Sequence, residues 1–151
     1  MIVGLFFHIL AAVVWVGGMA FAHFMLRPAA AALEPAVRLG LWRRVLARFL
    51  PTAGVAALVL VASGYGMVLF ALGGFRGLAL HINIMQTIGI VMVLAFGHLY
   101  FAPWPRFRRA VDGGDFTTAA AQLAQIRRIV TLNLVLGFVT VVVGATGRYW
   151  S

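Results

Sequence analysis

Every histidine in this chain stands in an apolar stretch. His8 and His23 fall in the first such stretch, His81 and His98 in the third, and the loops hold none. Imidazole is the commonest side-chain metal ligand and titrates near neutral pH. An ionisable group inside a bilayer is costly, so each of the four is a functional candidate by default. On a helix rising 1.5 Å per residue, His8 and His23 lie about 22 Å apart and His81 and His98 about 26 Å apart. The histidines therefore form two layers, His8 with His81 and His23 with His98. At 100° per residue, His23 sits about 60° around its helix from His8, and His98 about 100° from His81. The second pair is the looser one.

Three readings follow from these positions. The first is haem b held by two imidazoles, in one or both layers, carrying electrons across the bilayer. Trp15 shares the face of His8 and His23. Arg76 and Arg148 would meet propionates in one layer, Arg27 and Arg106 in the other. The second is copper. Cu(I) takes soft thioethers together with imidazole, and His81 and Met85 share one helical face, with Met19 a further ligand and Met67 and Met92 extending a path. The third is structural: the histidines bond neighbouring helices, as polar groups in membranes commonly do, and the chain is an accessory subunit. No nucleophile with a base, no phosphate-cradling glycine loop and no carboxylate pair is present. That pattern favours an electron-transfer or metal-handling protein over a hydrolase or transferase.

The elements that must position these residues follow from composition. Hydrophobic residues make up 64% of the 151, and charged residues 10%. A soluble domain is about 45–50% apolar and about 25% charged, so an ordinary soluble globule is excluded. A disulfide scaffold is excluded too, for there is no cysteine. A bilayer core of about 30 Å takes about 20 apolar residues of helix. Four stretches qualify: 1–26, 49–72, 78–101 and 129–147. The expected fold is an all-α integral membrane protein, a four-helix antiparallel bundle in a single domain spanning 1–151. The first stretch lacks the basic start and short apolar core of a cleaved signal and is expected to be retained.

The 12 basic residues are all arginine. Ten lie in the loops 27–48 and 102–128, one (Arg76) between the second and third spans, and one (Arg148) at the C-terminus. The positive-inside rule places the ten-arginine side in the cytoplasm and both termini outside, in the periplasm of a bacterial inner membrane. The basic loops then meet anionic lipid headgroups. A pI near 11.9 invites nucleic acid as a partner, but no aromatic–basic recognition module is present. A redox partner or a second copy remains open. Within the loops, Leu41, Val45 and Phe49 recur every four residues, which predicts a helix over 37–49. Asp115 is an N-cap for a helix from Phe116 that runs unbroken into the fourth span. In that span Asn133, Gly137, Thr140 and Gly144 form one small, polar stripe suited to close helix packing. Ser63-Gly64-Tyr65-Gly66 in the second span invites a kink or a close neighbour. Asn83 and Gln86 are expected to point into helix contacts.

Two segments carry a family resemblance. Phe7-His8-Ile9-Leu10-Ala11-Ala12-Val13-Val14-Trp15-Val16-Gly17-Gly18 resembles the first helix of CopD-like membrane proteins. Gln125 to Gly137 and the closing Gly144-Ala145-Thr146-Gly147-Arg148-Tyr149 resemble the last helix of short CopD-like proteins. The resemblance implies an inner-membrane protein linked to copper uptake or resistance. The first-helix pattern is also similar to HemJ-type membrane proteins, which are associated with haem. The lysine of that family's site has no counterpart here, so its enzyme activity is not carried over.

Overall fold

The apolar runs become helical rods, and those of the second and fourth runs begin well before the stretches hydropathy marks. The computed structural model describes residues 1–150, which are helical apart from short turns. Helix α1 (Ile2–Phe21) passes through a π-helical turn (Ala22–Leu26) into the short α2 (Arg27–Ala31). Helix α3 (Pro35–Phe70) is one continuous rod of 36 residues, so the predicted 37–49 helix and the second span are a single element. Pro35 opens it, where a missing N–H costs nothing. Pro51 sits inside it on an exposed face.

Helix α4 (Leu80–Phe101) follows a loop in which Gly73, Gly74 and Gly77 all adopt positive φ, a conformation that side chains rarely take. Asn83 departs from expectation there. It is exposed, and its Nδ2 donates to the Leu78 carbonyl at 3.1 Å, so it tethers the loop instead of a neighbouring helix. Helix α5 (Pro103–Asp112) was not anticipated. It buries Trp104, Phe107 and Ala110 and turns Arg106, Arg108 and Arg109 outward. Asp115 then caps α6 (Phe116–Thr146), its carboxylate accepting from the Thr118 N–H at 3.0 Å, and the rod runs unbroken into the fourth span. A 3₁₀ turn (Gly147–Tyr149) ends it.

Four of these rods are long and apolar enough to cross a membrane. They pack as two antiparallel pairs, α1 on α3 and α4 on α6, with α6 also touching α1. Apolar side chains cover the outside: Phe70 is 91% exposed and Leu94 68%. A helix apolar on all sides belongs in a core or a membrane, and these outward faces have no core to enter. Inside are two clusters. One, in the middle of the bundle, holds Trp15, Met19, Ala53, Ala57, Met92 and Leu134. The other, at the arginine-rich end, holds Leu39, Trp42, Leu46, Phe107, Leu123 and Ile126.

The stripe on α6 does the close packing its composition predicts. A methyl built on Gly137 would lie 2.9 Å from Val16 Cγ2, and one on Gly144 would lie 3.2 Å from Met85 Cε. Asn133, 2% exposed, donates from Nδ2 to the Met92 carbonyl of α4 at 3.2 Å.

Candidate metal site

His8 and Ser63 meet where α1 crosses α3, near the end of the bundle that carries the termini. Ser63 Oγ lies 2.6 Å from the Val59 carbonyl, one turn back, and donates its single proton there. Its oxygen is left as an acceptor, and His8 Nδ1 stands 3.0 Å away. In the neutral ring this arrangement suits the tautomer with the proton on Nδ1, shared with Ser63 Oγ, and the lone pair on Nε2. That is the tautomer a metal-binding imidazole needs, held by its outer partner. Gly64 gives the ring room: a methyl there would stand 3.3 Å from His8 Cε1. One turn along the same crossing the roles reverse. Gly4 of α1 faces the Met67 side chain of α3, and a methyl on Gly4 would be 3.1 Å from Met67 Cγ. His8 and Met67 thus occupy adjacent turns of one helix crossing. Beside them is a cavity of about 200 Å³ lined by Met1, Gly4, Ser63, Met67 and Phe70.

A second imidazole–thioether pair lies on α4. His81 packs against Gly147 and Met85 against Gly144, both on the last rod. A methyl on Gly147 would come within 2.9 Å of His81 Cδ2 and closer still to Cβ and Cγ. Met92 and Met19 are almost wholly buried in the central cluster between the layers.

At the arginine-rich end, His23 stands in the π-helical turn, with Nδ1 3.3 Å from Thr131 Oγ1 of α6. His98 is exposed on the outer surface of α4. Trp15 is buried in the central cluster with its ring edge-on to Phe96. Arg76 and Arg106 are exposed, and Arg148 folds over the ring of its neighbour Tyr149 and bonds its hydroxyl. Arg27 lines a small cavity with His23.

The structure thus gives each buried or half-buried histidine a neighbour of its own: α3 for His8, the end of the α6 rod for His81, α6 for His23. Among the described residues, no three of His, Cys, Asp and Glu come together as a metal-holding group. A haem held between His8 and His81, or between His23 and His98, does not fit this packing. A cofactor site is a cleft of about 300–1,000 Å³. The cavity at His23 holds about 30 Å³ and the one beside Ser63 about 200 Å³. The His81 ring is pressed onto Gly147, and His98 faces away from the bundle. Sequence reasoning missed the Ser63 partner of His8 and the reciprocal Gly4–Met67 and Gly64–His8 contacts. The small residues in Ser63-Gly64-Tyr65-Gly66 were their visible trace.

Comparison with known proteins shows a family match. The family described as CopD, Copper resistance protein D, matches residues 43–146. That stretch includes the last-helix segment Gln125–Gly137, while the first-helix element Phe7–Gly18 lies outside it. No curated protein and no solved structure matches the chain.

Proposed function

Because the chain belongs to the copper resistance protein D family of membrane proteins, we propose that it binds Cu(I) as cargo and passes it inward across a bacterial inner membrane. The observation that carries this reading is the His8–Met67 pair. An imidazole and a thioether stand on adjacent turns of one helix crossing, beside a cavity at the terminal end of the bundle. Imidazole and thioether together suit Cu(I) and suit hard cations poorly. The positive-inside rule turns this end outward, so the pair meets copper arriving from the periplasm.

His81 and Met85 form a second station at similar depth on α4. Met92 and Met19 offer thioethers deeper in the bundle, and His23 an imidazole at the cytoplasmic end. Each station supplies few ligands. That matches transport, where an ion must leave as well as enter. Arg76 and Arg148 are exposed at the outer end and have no ligand role in this reading.

The test is a Cu(I) titration of the purified protein against a colorimetric Cu(I) chelator under reducing conditions, with an absorption spectrum taken first. The expected result is stoichiometric Cu(I) binding to a protein without a Soret band. His8→Ala and Met67→Leu should each weaken the tightest site. A Soret band would restore the haem reading, and Cu(I) binding untouched by both substitutions would move the site elsewhere. A protein that binds neither would be an accessory subunit.

A further inference from the structure

The cavity at the arginine-rich end has an unusual lining for one so close to a bilayer. It lies between the π-helical turn, α3 and α6, and Arg27, Trp42 and Arg127 line it beside His23. Trp42 is only 4% exposed, yet its Nε1 has no acceptor. The Nε of Arg127 is likewise buried and unpaired. The Arg127 guanidinium lies over the Trp42 ring, 5.3 Å from its centre, so the two unpaired donors belong to stacked side chains. Arg27 and Arg38 add positive charge that bears on Arg127. No carboxylate offsets it. Among the described residues the one ion pair is Arg43 with Asp112.

A buried N–H without a partner costs roughly 1–3 kcal/mol, more for a charged group. The unpaired acceptor on the same helix, Gln122 Oε1, does not line the cavity, so two such donors beside arginines without an ion-pair partner form a site short of an acceptor and of negative charge. An oxyanion supplies both. Its source follows from depth: Arg127 lies two residues before the fourth apolar stretch, where lipid headgroups are expected, and the exposed Arg27 stands at the cavity's surface side. We propose that the mouth of this cavity binds a phosphate oxyanion, the phosphodiester of an anionic lipid in the arginine-side leaflet, with one oxygen entering the space of about 30 Å³ and the rest of the headgroup outside it. Trp42 Nε1 and Arg127 Nε donate to the phosphate oxygens, and Arg27 closes the open side. A bound lipid here would brace α1, α3 and α6 against one another, independently of copper.

The test uses the full chain, purified in detergent and stripped of lipid. Native mass spectrometry and thermal unfolding are followed while phosphatidylglycerol, phosphatidylcholine or inorganic phosphate is added. Phosphatidylglycerol should bind one to one and raise the melting temperature, and phosphatidylcholine, whose phosphodiester carries a trimethylammonium that the arginines repel, should bind more weakly and raise it less. Trp42→Phe keeps the ring and deletes only the N–H, and should weaken phosphatidylglycerol about tenfold, the loss of one hydrogen bond to a charged group. Arg27→Gln, at an exposed position that cannot disturb the core, should also weaken it. Binding unchanged in both variants would mean diffuse attraction to the basic surface and would overturn the site. Inorganic phosphate binding as well as the lipid would assign the site to a soluble phosphate. No binding by either overturns the proposal outright.

Discussion

Gly147→Ala is the sharpest probe of how the second imidazole is held. The new methyl would come within 2.9 Å of His81 Cδ2 and closer to Cβ and Cγ, where ordinary contacts begin at 3.4 Å. Rotating the imidazole relieves only Cδ2. Cβ is fixed to the backbone, so the start of α4 must move away from the last rod. Overpacking of this kind costs about 1–3 kcal/mol. An alanine in a helix returns up to about 1 kcal/mol relative to glycine, less in a terminal turn. The net expectation is a loss of roughly 1–2 kcal/mol, read as a melting temperature several degrees lower in detergent. Cu(I) affinity at the His81–Met85 station should fall with it, while the His8–Met67 station is spared. Gly97→Ala supplies the control, since a methyl there meets nothing within 4 Å. It should be neutral or slightly stabilising. A Gly147→Ala protein as stable as the parent, with both stations intact, would refute the packing argument.

Other expectations are narrower. Ser63→Ala frees the His8 ring to turn and to change tautomer, and should cost about 10–100-fold in Cu(I) affinity, the usual effect of losing a ligand's outer partner. Ser63→Thr keeps the hydroxyl and should recover most of it. Asp115 is held below the usual carboxylate range by its hydrogen bonds from Thr118. Its contribution is therefore complete above about pH 3.9 and is lost as pH falls through the lowered folded value. The stability gap between the parent and Asp115→Ala should be constant at neutral pH and close only in strong acid, and a gap that persists there would contradict the cap. Asp112→Asn removes the exposed pair with Arg43, whose Nε and a terminal nitrogen each donate at 3.2 Å. It should cost at most about 1 kcal/mol, and adding salt should shrink the difference in melting temperature.

The number of spans, the Asp115 cap and the unbroken run of α6 were legible because hydropathy and turn chemistry are local. Depth along a helix was legible too, which is why the two histidine layers could be drawn. Their partners were not. Rise and phase describe one helix at a time and do not say that α1 lies on α3 and α4 on α6. The His8–His81 pairing needed that missing fact. Phase did mark His98 as the loosest of the four, and it lies on the outer surface. Helix α5 was hidden by Pro103 and Pro105, which read as loop punctuation although a proline in a first turn is favourable. The unpaired Trp42 and Arg127 donors could not be foreseen, since each residue type usually finds its partner at a protein surface.

The two buried clusters differ in how much of each lies within the most apolar runs. The cluster around Trp42, Phe107 and Leu123 draws mainly on the stretches before Phe49 in α3 and before Ile129 in α6, together with α5, and takes Leu50 and Leu99 from the apolar runs themselves. If those runs mark the extent of the lipid, most of this cluster is assembled out of water. The cluster around Trp15, Met19 and Met92 exchanges contact with lipid tails for contact with other side chains. Burial from water carries a heat-capacity change and weakens on cooling and in urea. Burial from lipid has no such hydrophobic drive and rests on contact packing. The molecule should therefore come apart unevenly. Cold or urea should loosen the arginine-rich end first and release the clasp that α5 forms between the two helix pairs, while the apolar bundle keeps its helices. Its melting would then show two steps, with a heat-capacity increment in the first alone.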